Sequence, residues 1–259
     1  MLKFSNANAK TEALKQVSEL SEYLQGKRKI YSLDLLSGYS CPSAKACLSK
    51  AVVQLDGRRK IKDGAFNEFR CFSASQEVQY TNVYNLRKHN FDILRDLPIN
   101  DMTERLVDDL PKNAGIIRIH VAGDFFNADY MQAWYNVAVM NPTVLFYAYT
   151  KSIRYWYRLN EFPELNNFVL TASYGGRDDD LISELGLRST TVVYSEAEAE
   201  KLGLEIDHDD SHAARPSMRN QDFALLVHGT QPKGSEAATA LKLLKKNKVR
   251  HSYNRKVTA

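Results

Sequence analysis

The chain has 259 residues, 44% hydrophobic and 25% charged, with 12 Gly, 7 Pro and 3 Cys. That composition excludes disordered, collagen-like and disulfide-scaffolded proteins, and the length lets about three quarters of the unfolded surface be buried in one large domain or two small ones. The net charge of +4 belongs to the end of the chain, because residues 242–259 hold seven Lys or Arg and no Asp or Glu and the preceding residues carry −3.

No apolar run approaches the ~20 residues of a membrane-spanning helix, and MLKFSNANAKTEALK lacks the apolar stretch of a secretion signal. A cytoplasmic protein without a membrane partner is expected. Residues 8–25 place Ala13, Leu14, Val17, Leu20 and Leu24 at helical spacing and predict an amphipathic lead-in helix. Six short β-rich runs follow: Lys29 to Leu36, Gly115 to Ala122, Val144 to Tyr149, Phe168 to Ser173, Thr191 to Ser195 and Phe223 to His228. Tyr80 to Leu110 reads as two helices broken near Pro98 to Asp101. Further helices are predicted at Ala128 to Met140, with Asn127 as N-cap, and at Asp178 to Leu185, Glu196 to Leu202 and Ser235 to Lys246.

Strands alternating with helices predict an α/β fold with a parallel sheet and right-handed crossovers, either open or curled into a partial (β/α) barrel. Six strands are fewer than the eight of a complete barrel. The expected organisation is one α/β domain over residues 1–241 and a basic tail over 242–259. Such a tail is either solvated or seeks phosphate, as in nucleic acid.

Ligands of parallel α/β folds sit at the C-terminal ends of the strands. Those ends carry Ser37, Gly38, Tyr39 and Cys41; His120, Gly123 and Asp124; Thr150 and Lys151; Ser173, Tyr174, Gly175 and Gly176; Ser195; and His228, Gly229 and Thr230. Taken singly, each is equally a cap or a solvated turn. Their convergence on one edge marks the candidate site. The aromatic residues Tyr147, Tyr149, Tyr155, Trp156, Tyr157 and Tyr174 serve either packing or the stacking of a base.

Cys41 and Cys47 stand five residues apart in GYSCPSAKAC, and Cys71 follows in NEFRCFSAS. Thiolates bind soft metals and iron–sulfur clusters. Lys45, Lys50, Arg58, Arg59, Lys60, Lys62 and Arg70 lie around them in the chain, a setting expected to lower thiol pKa. Zinc would need a fourth ligand from His89, His120, His208, His212 or His228, and no CxxC is present. Three free thiols packed as small hydrophobes are the bland alternative, with Cys47 on a short helix.

Three cysteines after the first strand of a β/α series resemble the radical S-adenosylmethionine (SAM) superfamily, although the spacing departs from its CxxxCxxC. The segments SLDLLSGYSCPSAKAC, RCFSAS, IRIHVAGDFFNADYMQAWYNVA, FYAYTKS and FALLVHGTQPKGSEA also resemble an uncharacterised phage-encoded family that looks like a divergent branch of that superfamily. The resemblance covers roughly residues 29–240. It implies a partial barrel of radical-SAM-like type, with Cys41, Cys47 and Cys71 holding a [4Fe–4S] cluster.

It also implies that Gly123 and Asp124 help hold the amino group of SAM, with Thr150, Lys151 and Ser173 lining the same mouth. The substrate would be a small molecule or nucleotide, in the host cytoplasm if the protein is phage-encoded. The alternatives are a cluster or zinc protein with a structural or redox role, and a nucleic-acid-associated factor using the tail and the basic run at 58–62.

Overall fold

The structure is a computed structural model, and it describes residues 1–249. Its strands are β1 (Ser5–Asn6), β2 (Lys29–Leu33), β3 (Ser49–Val53), β4 (Arg59–Asp63) and β5 (Ala114–Ile119). They continue with β6 (Leu145–Thr150), β7 (Phe168–Ser173), β8 (Ser189–Val193), β9 (Glu205–Ile206) and β10 (Phe223–Leu226). The helices are α1 (Ala9–Glu12), α2 (Phe72–Gln79), α3 (Thr81–Leu94), α4 (Ile99–Asp108), α5 (Ala128–Met140), α6 (Ile153–Arg158), α7 (Asp180–Glu184), α8 (Glu196–Lys201), α9 (Ser211–Ala214) and α10 (Glu236–Lys246).

Eight strands form the main sheet in the order β1-β2-β5-β6-β7-β8-β10-β9. All pairings are parallel except β1 with β2. From β2 to β8 each new strand is added on the same side of the last, and right-handed crossovers made in one direction leave their helices on one face. The packing agrees. Ile117 and Ile119 of β5, Phe146 and Ala148 of β6 and Leu170 of β7 pack with residues of α3, α4, α5 and α6, and Val193, Ala224 and Leu226 pack with α8 and α10.

The opposite face carries Ile30, Ile116, Leu145, Tyr147, Val169 and Phe223, covered by Leu14, Leu20, Ala213 and Ala214. Every residue of β5 is buried, as expected for a central parallel strand covered on both sides. The fold is therefore mixed α/β with a mostly parallel sheet and alternating helices.

Several elements follow directly from local chemistry. Asn127 caps α5 by accepting from the Tyr130 amide at 2.7 Å, an interaction whose loss costs about 1 kcal/mol. Pro98 ends the connection between the two central helices and precedes α4. Ser235 caps α10 through the Ala238 amide. That helix crosses the expected boundary at 241 and buries Leu244, so the first residues of the expected tail belong to the domain; residues 250–259 lie outside the described residues.

Other expectations need correcting. The lead-in helix over 8–25 is one α-turn followed by 3₁₀ segments at Ala13–Gln16 and Ser18–Leu24, interrupted by extended Val17. Leu14, Val17 and Leu20 are spaced by three, the 3₁₀ period, and that spacing serves the sheet face beneath them. The antiparallel hairpin β3–β4 and the short strands β1 and β9 were not expected. Cys47 precedes β3 in a loop and is not helical.

Candidate functional site

The C-terminal ends of the parallel strands, on the face away from the crossover helices, enclose a cavity of about 280 Å³. Cys41, Cys47 and Cys71 line it, and so do Gly123, Asp124, Thr150, Lys151 and Ser173. All eight candidate residues are brought to one place. Among the described residues, no three His, Cys, Asp or Glu side chains form a group that could hold a metal ion.

The loop after β2 places the first two thiols. Gly38 adopts φ +74, and a Cβ there would lie 2.4 Å from the Ser49 carbonyl oxygen, so only glycine fits. Its amide donates to Cys41 Sγ at 3.3 Å. Further along, the amides of Lys45 and Ala46 donate to Gly175 O at 3.0 and 2.9 Å, tying the loop to the end of β7.

Cys71 sits at the cap position of α2. Its segment is locked to the Cys41 loop by Glu77 of α2, which accepts from Ser37 N at 3.0 Å and Ser37 Oγ at 2.8 Å. Arg87 pairs with Glu77 at 3.2 Å, and both side chains are almost fully buried. Gly229 presses on the other side, where a Cβ would lie 2.6 Å from Phe72 Cβ.

The three cysteines are free and partly exposed, and they lie on the cavity wall, withdrawn from bulk water. Burial pushes the Cys41 thiol well up, reinforced by Asp124 and the other two cysteines, and pushes Cys47 up to about 11 against the opposing charge of Lys151. Cys71 also rises through burial, although the amides of Ala74 and Ser73 oppose the shift. The expected lowering by neighbouring basic residues does not occur. Arg58 bonds Asp56, Arg59 bonds Glu77 O and Thr81, and Arg70 bonds Asp63.

Asp124 accepts from Phe125 N at 2.7 Å, Thr150 Oγ1 at 2.6 Å and Lys151 N at 2.9 Å. Its carboxyl is nevertheless raised to about 6, because burial outweighs those donors. Three of the roughly four acceptor positions are occupied by protein, so Asp124 ties the ends of β5 and β6 together with one position left. Lys151 donates to Ser173 Oγ at 2.8 Å, to Ser173 O at 3.1 Å and to Tyr174 O. These bonds account for the three protons of the ammonium, and its charge is what reaches Cys47.

His120 adopts φ 71 and turns toward the helix-covered core, with Nε2 at 3.0 Å from Tyr130 Oη. Burial lowers its pKa to about 3, so the ring is neutral. Among the described residues, its Nδ1 has no hydrogen-bond partner. Of the other candidate histidines, His208 and His228 line the cavity, His89 bonds Met1 O, and His212 bonds Asp207 and Glu205. The aromatic residues divide as well: Tyr147 lies in the core, Tyr155 and Trp156 pack on it, and Tyr149 lines the cavity.

Sequence reasoning named Tyr149 but missed the charged residues of the other wall of the cavity. Lys10, Arg118, Tyr149 and Asp207 line it, and a buried network lies behind them. Lys10 Nζ reaches Asp210 at 2.7 Å and Asp207 at 3.2 Å; Arg118 pairs with Asp210; Tyr147 and Tyr149 donate to Asp210 at 3.0 and 3.2 Å. Asp207 is lowered despite its burial, through His212 and Lys10. An arginine in the middle of the apolar run GIIRIHVA was the available signal.

The sequence of this chain is similar to phage proteins. The family model described as "Gene product 88" matches residues 1–249. The "Gene 88 protein" of Mycobacterium phage L5 is 30% identical over 123 residues, an alignment covering 44% of this chain and 44% of that protein. The chain thus spans less than half the length of the curated relative it matches. No solved structure matches.

Proposed function

We propose that this chain, which belongs to the Gene product 88 family, is an iron–sulfur protein that holds a [4Fe–4S] cluster through Cys41, Cys47 and Cys71. The observation that carries the reading is the convergence of three unbridged thiols, from two separate segments, on one cavity wall. The donor set fits. Ligands of one zinc ion, each ~2.3 Å from the metal, must crowd together, whereas cysteines around a four-iron cluster stand further apart. Lys151 beside Cys47 and the Gly38 amide on Cys41 offset part of the burial that raises these two thiols.

The winding of the sheet, with crossover helices on one face and the cavity on the other, supports a partial (β/α) barrel of radical-SAM-like type. Within that reading the cavity beside the thiols would take SAM. When bound, a cluster with an open iron supplies one-electron reduction of that cofactor. Gly123, Thr150, Lys151 and Ser173 shape the wall, and Asp124 offers its remaining acceptor position to an amino group. A substrate of small-molecule or nucleotide class would share the cavity.

A second reading is a cluster closed by a histidine, with a structural or redox role. His208 and His228, which line the cavity together with the thiols, favour it.

The test is anaerobic reconstitution with iron and sulfide. Brown protein with about four irons and four sulfides per chain, lost in Cys41→Ala, Cys47→Ala and Cys71→Ala, supports the cluster. Colourless protein with stoichiometric zinc, or cysteine variants that load normally, overturns it. Formation of 5′-deoxyadenosine from SAM under reduction then separates the enzyme from the closed cluster.

A further inference from the structure

Six of the seven basic residues near the cysteines in the chain divide into two groups. Arg58, Arg59 and Arg70 are engaged within the protein, and the cation–π contact of Arg59 with Tyr84 helps fasten the hairpin to α3. Among the described residues, no carboxylate forms an ion pair with Lys50, Lys60 or Lys62.

Strand alternation places these three on one face of the β3–β4 hairpin. Lys50 is directly opposite Lys62, and Val52 is opposite Lys60. The other face carries Ser49 and Ala51, which are fully buried. Directly opposed like charges in an antiparallel pair are destabilising, with Cβ atoms only about 5 Å apart. A hairpin that keeps such a pair on its outer face presents concentrated positive charge to whatever it meets.

We propose that this face binds the phosphate backbone of a nucleic-acid strand. Lys60 and Lys62 are exposed and, two residues apart on one strand, repeat at about 6.7 Å, comparable to the separation of neighbouring phosphates on an extended strand. Lys50 Nζ lies 4.8 Å from the ring centroid of Tyr39, and that ring is 40% exposed at the foot of the hairpin. Lysines beside an exposed aromatic ring form the combination that grips single strands, with charge on phosphate and the ring against a base. The inference does not depend on what the cavity holds. Of the two expected nucleic-acid contacts, the tail and the basic run at 58–62, it takes the second and extends it to Lys50.

The experiment is fluorescence anisotropy of a labelled oligothymidylate with the full chain, titrated between about 50 and 200 mM salt. Wild type binds with a steep salt dependence. Lys60→Gln/Lys62→Gln, whose side chains point to solvent, weakens binding at least tenfold at the low-salt end and reduces the slope of log K against log salt by about 1.4. Absence of binding by wild type overturns the proposal, as does an unchanged slope in the double variant. A chain ending at residue 249 that loses all binding assigns the contact to the tail and overturns it too. Lysine-dependent binding to phosphatidylserine vesicles without oligonucleotide binding makes the partner a lipid surface, and overturns the nucleic-acid assignment.

Discussion

Gln231 grips the backbone of Arg70 from both sides: its Oε1 accepts from Arg70 N at 2.7 Å, and its Nε2 donates to Arg70 O at 3.0 Å. Nε2 also donates to His228 O at 2.8 Å, so one amide side chain joins the loop after β10 to the residue before Cys71. Gln231→Ala leaves these groups without partners, at a cost of about 2 kcal/mol. Urea unfolding measures that loss. Site-resolved alkylation of the cluster-free protein should also show Cys71 reacting faster than in wild type while Cys41 keeps its rate. Unchanged Cys71 reactivity would show that Gln231 does not hold the segment.

The raised thiols make a second prediction. With the Cys47 pKa at about 11, only about one molecule in a thousand carries that thiolate at pH 8, and the thiolate is the reactive form. Alkylation of native, cluster-free protein should be slow at pH 8 and accelerate about tenfold per pH unit toward pH 11. Lys151 opposes the rise at Cys47, so Lys151→Met should slow that site further. A rapid, pH-independent reaction of Cys47 would contradict the account.

This reversal shows where a linear reading stops. Seven basic residues near three cysteines in the chain suggested depressed thiol pKa values, but Arg58, Arg59 and Arg70 turn to Asp56, Glu77 O and Asp63, and the cation that acts on Cys47 is Lys151, from another part of the sheet. The candidate edge itself was legible, because parallel strands bring their C-terminal ends together whatever their order. Thus Asp124, Thr150, Lys151 and Ser173 could be named without knowing their contacts. Lys10 and Asp207 could not, since their meeting beside Arg118 depends on which sheet face the N-terminal segment covers. The β3–β4 hairpin was hidden because RKIKD alternates charge with little apolar signal, its inner face being secured by Arg59 and Asp63.

Asp124 gives a pH dependence with a defined sign. Its carboxyl titrates at about 6 in the fold, against an ordinary 3.8, because burial disfavours the charge. The folded state therefore holds the proton more tightly, so the stabilisation is complete below pH 3.8 and is lost as pH rises to 6. The shift corresponds to about 3 kcal/mol. Asp124→Asn removes the titration and places an amide where Lys151 N or Thr150 Oγ1 needs an acceptor. Urea midpoints for both proteins between pH 4 and 7 should show wild type losing stability relative to the variant as pH rises. The opposite trend would exclude burial as the dominant influence.

Gly229 and Gly57 both have φ +78, and they separate backbone strain from steric fit. A Cβ at Gly57, in the β3–β4 turn, meets nothing within 4 Å. Alanine there costs only the left-handed penalty, about 1–2 kcal/mol. At Gly229 the same Cβ would stand 2.6 Å from Phe72 Cβ and 2.9 Å from Phe72 Cα. Backbone cannot yield as a flexible side-chain end does, and overpacking adds about 1–3 kcal/mol. Gly229→Ala should therefore be the more destabilising by at least about 1 kcal/mol in urea unfolding. Because Phe72 follows Cys71, it should also disturb iron loading, whereas Gly57→Ala loads normally. Equal stability losses at the two positions would mean that Gly229 is needed only for its dihedral angle and that the loop after β10 does not brace the cysteine.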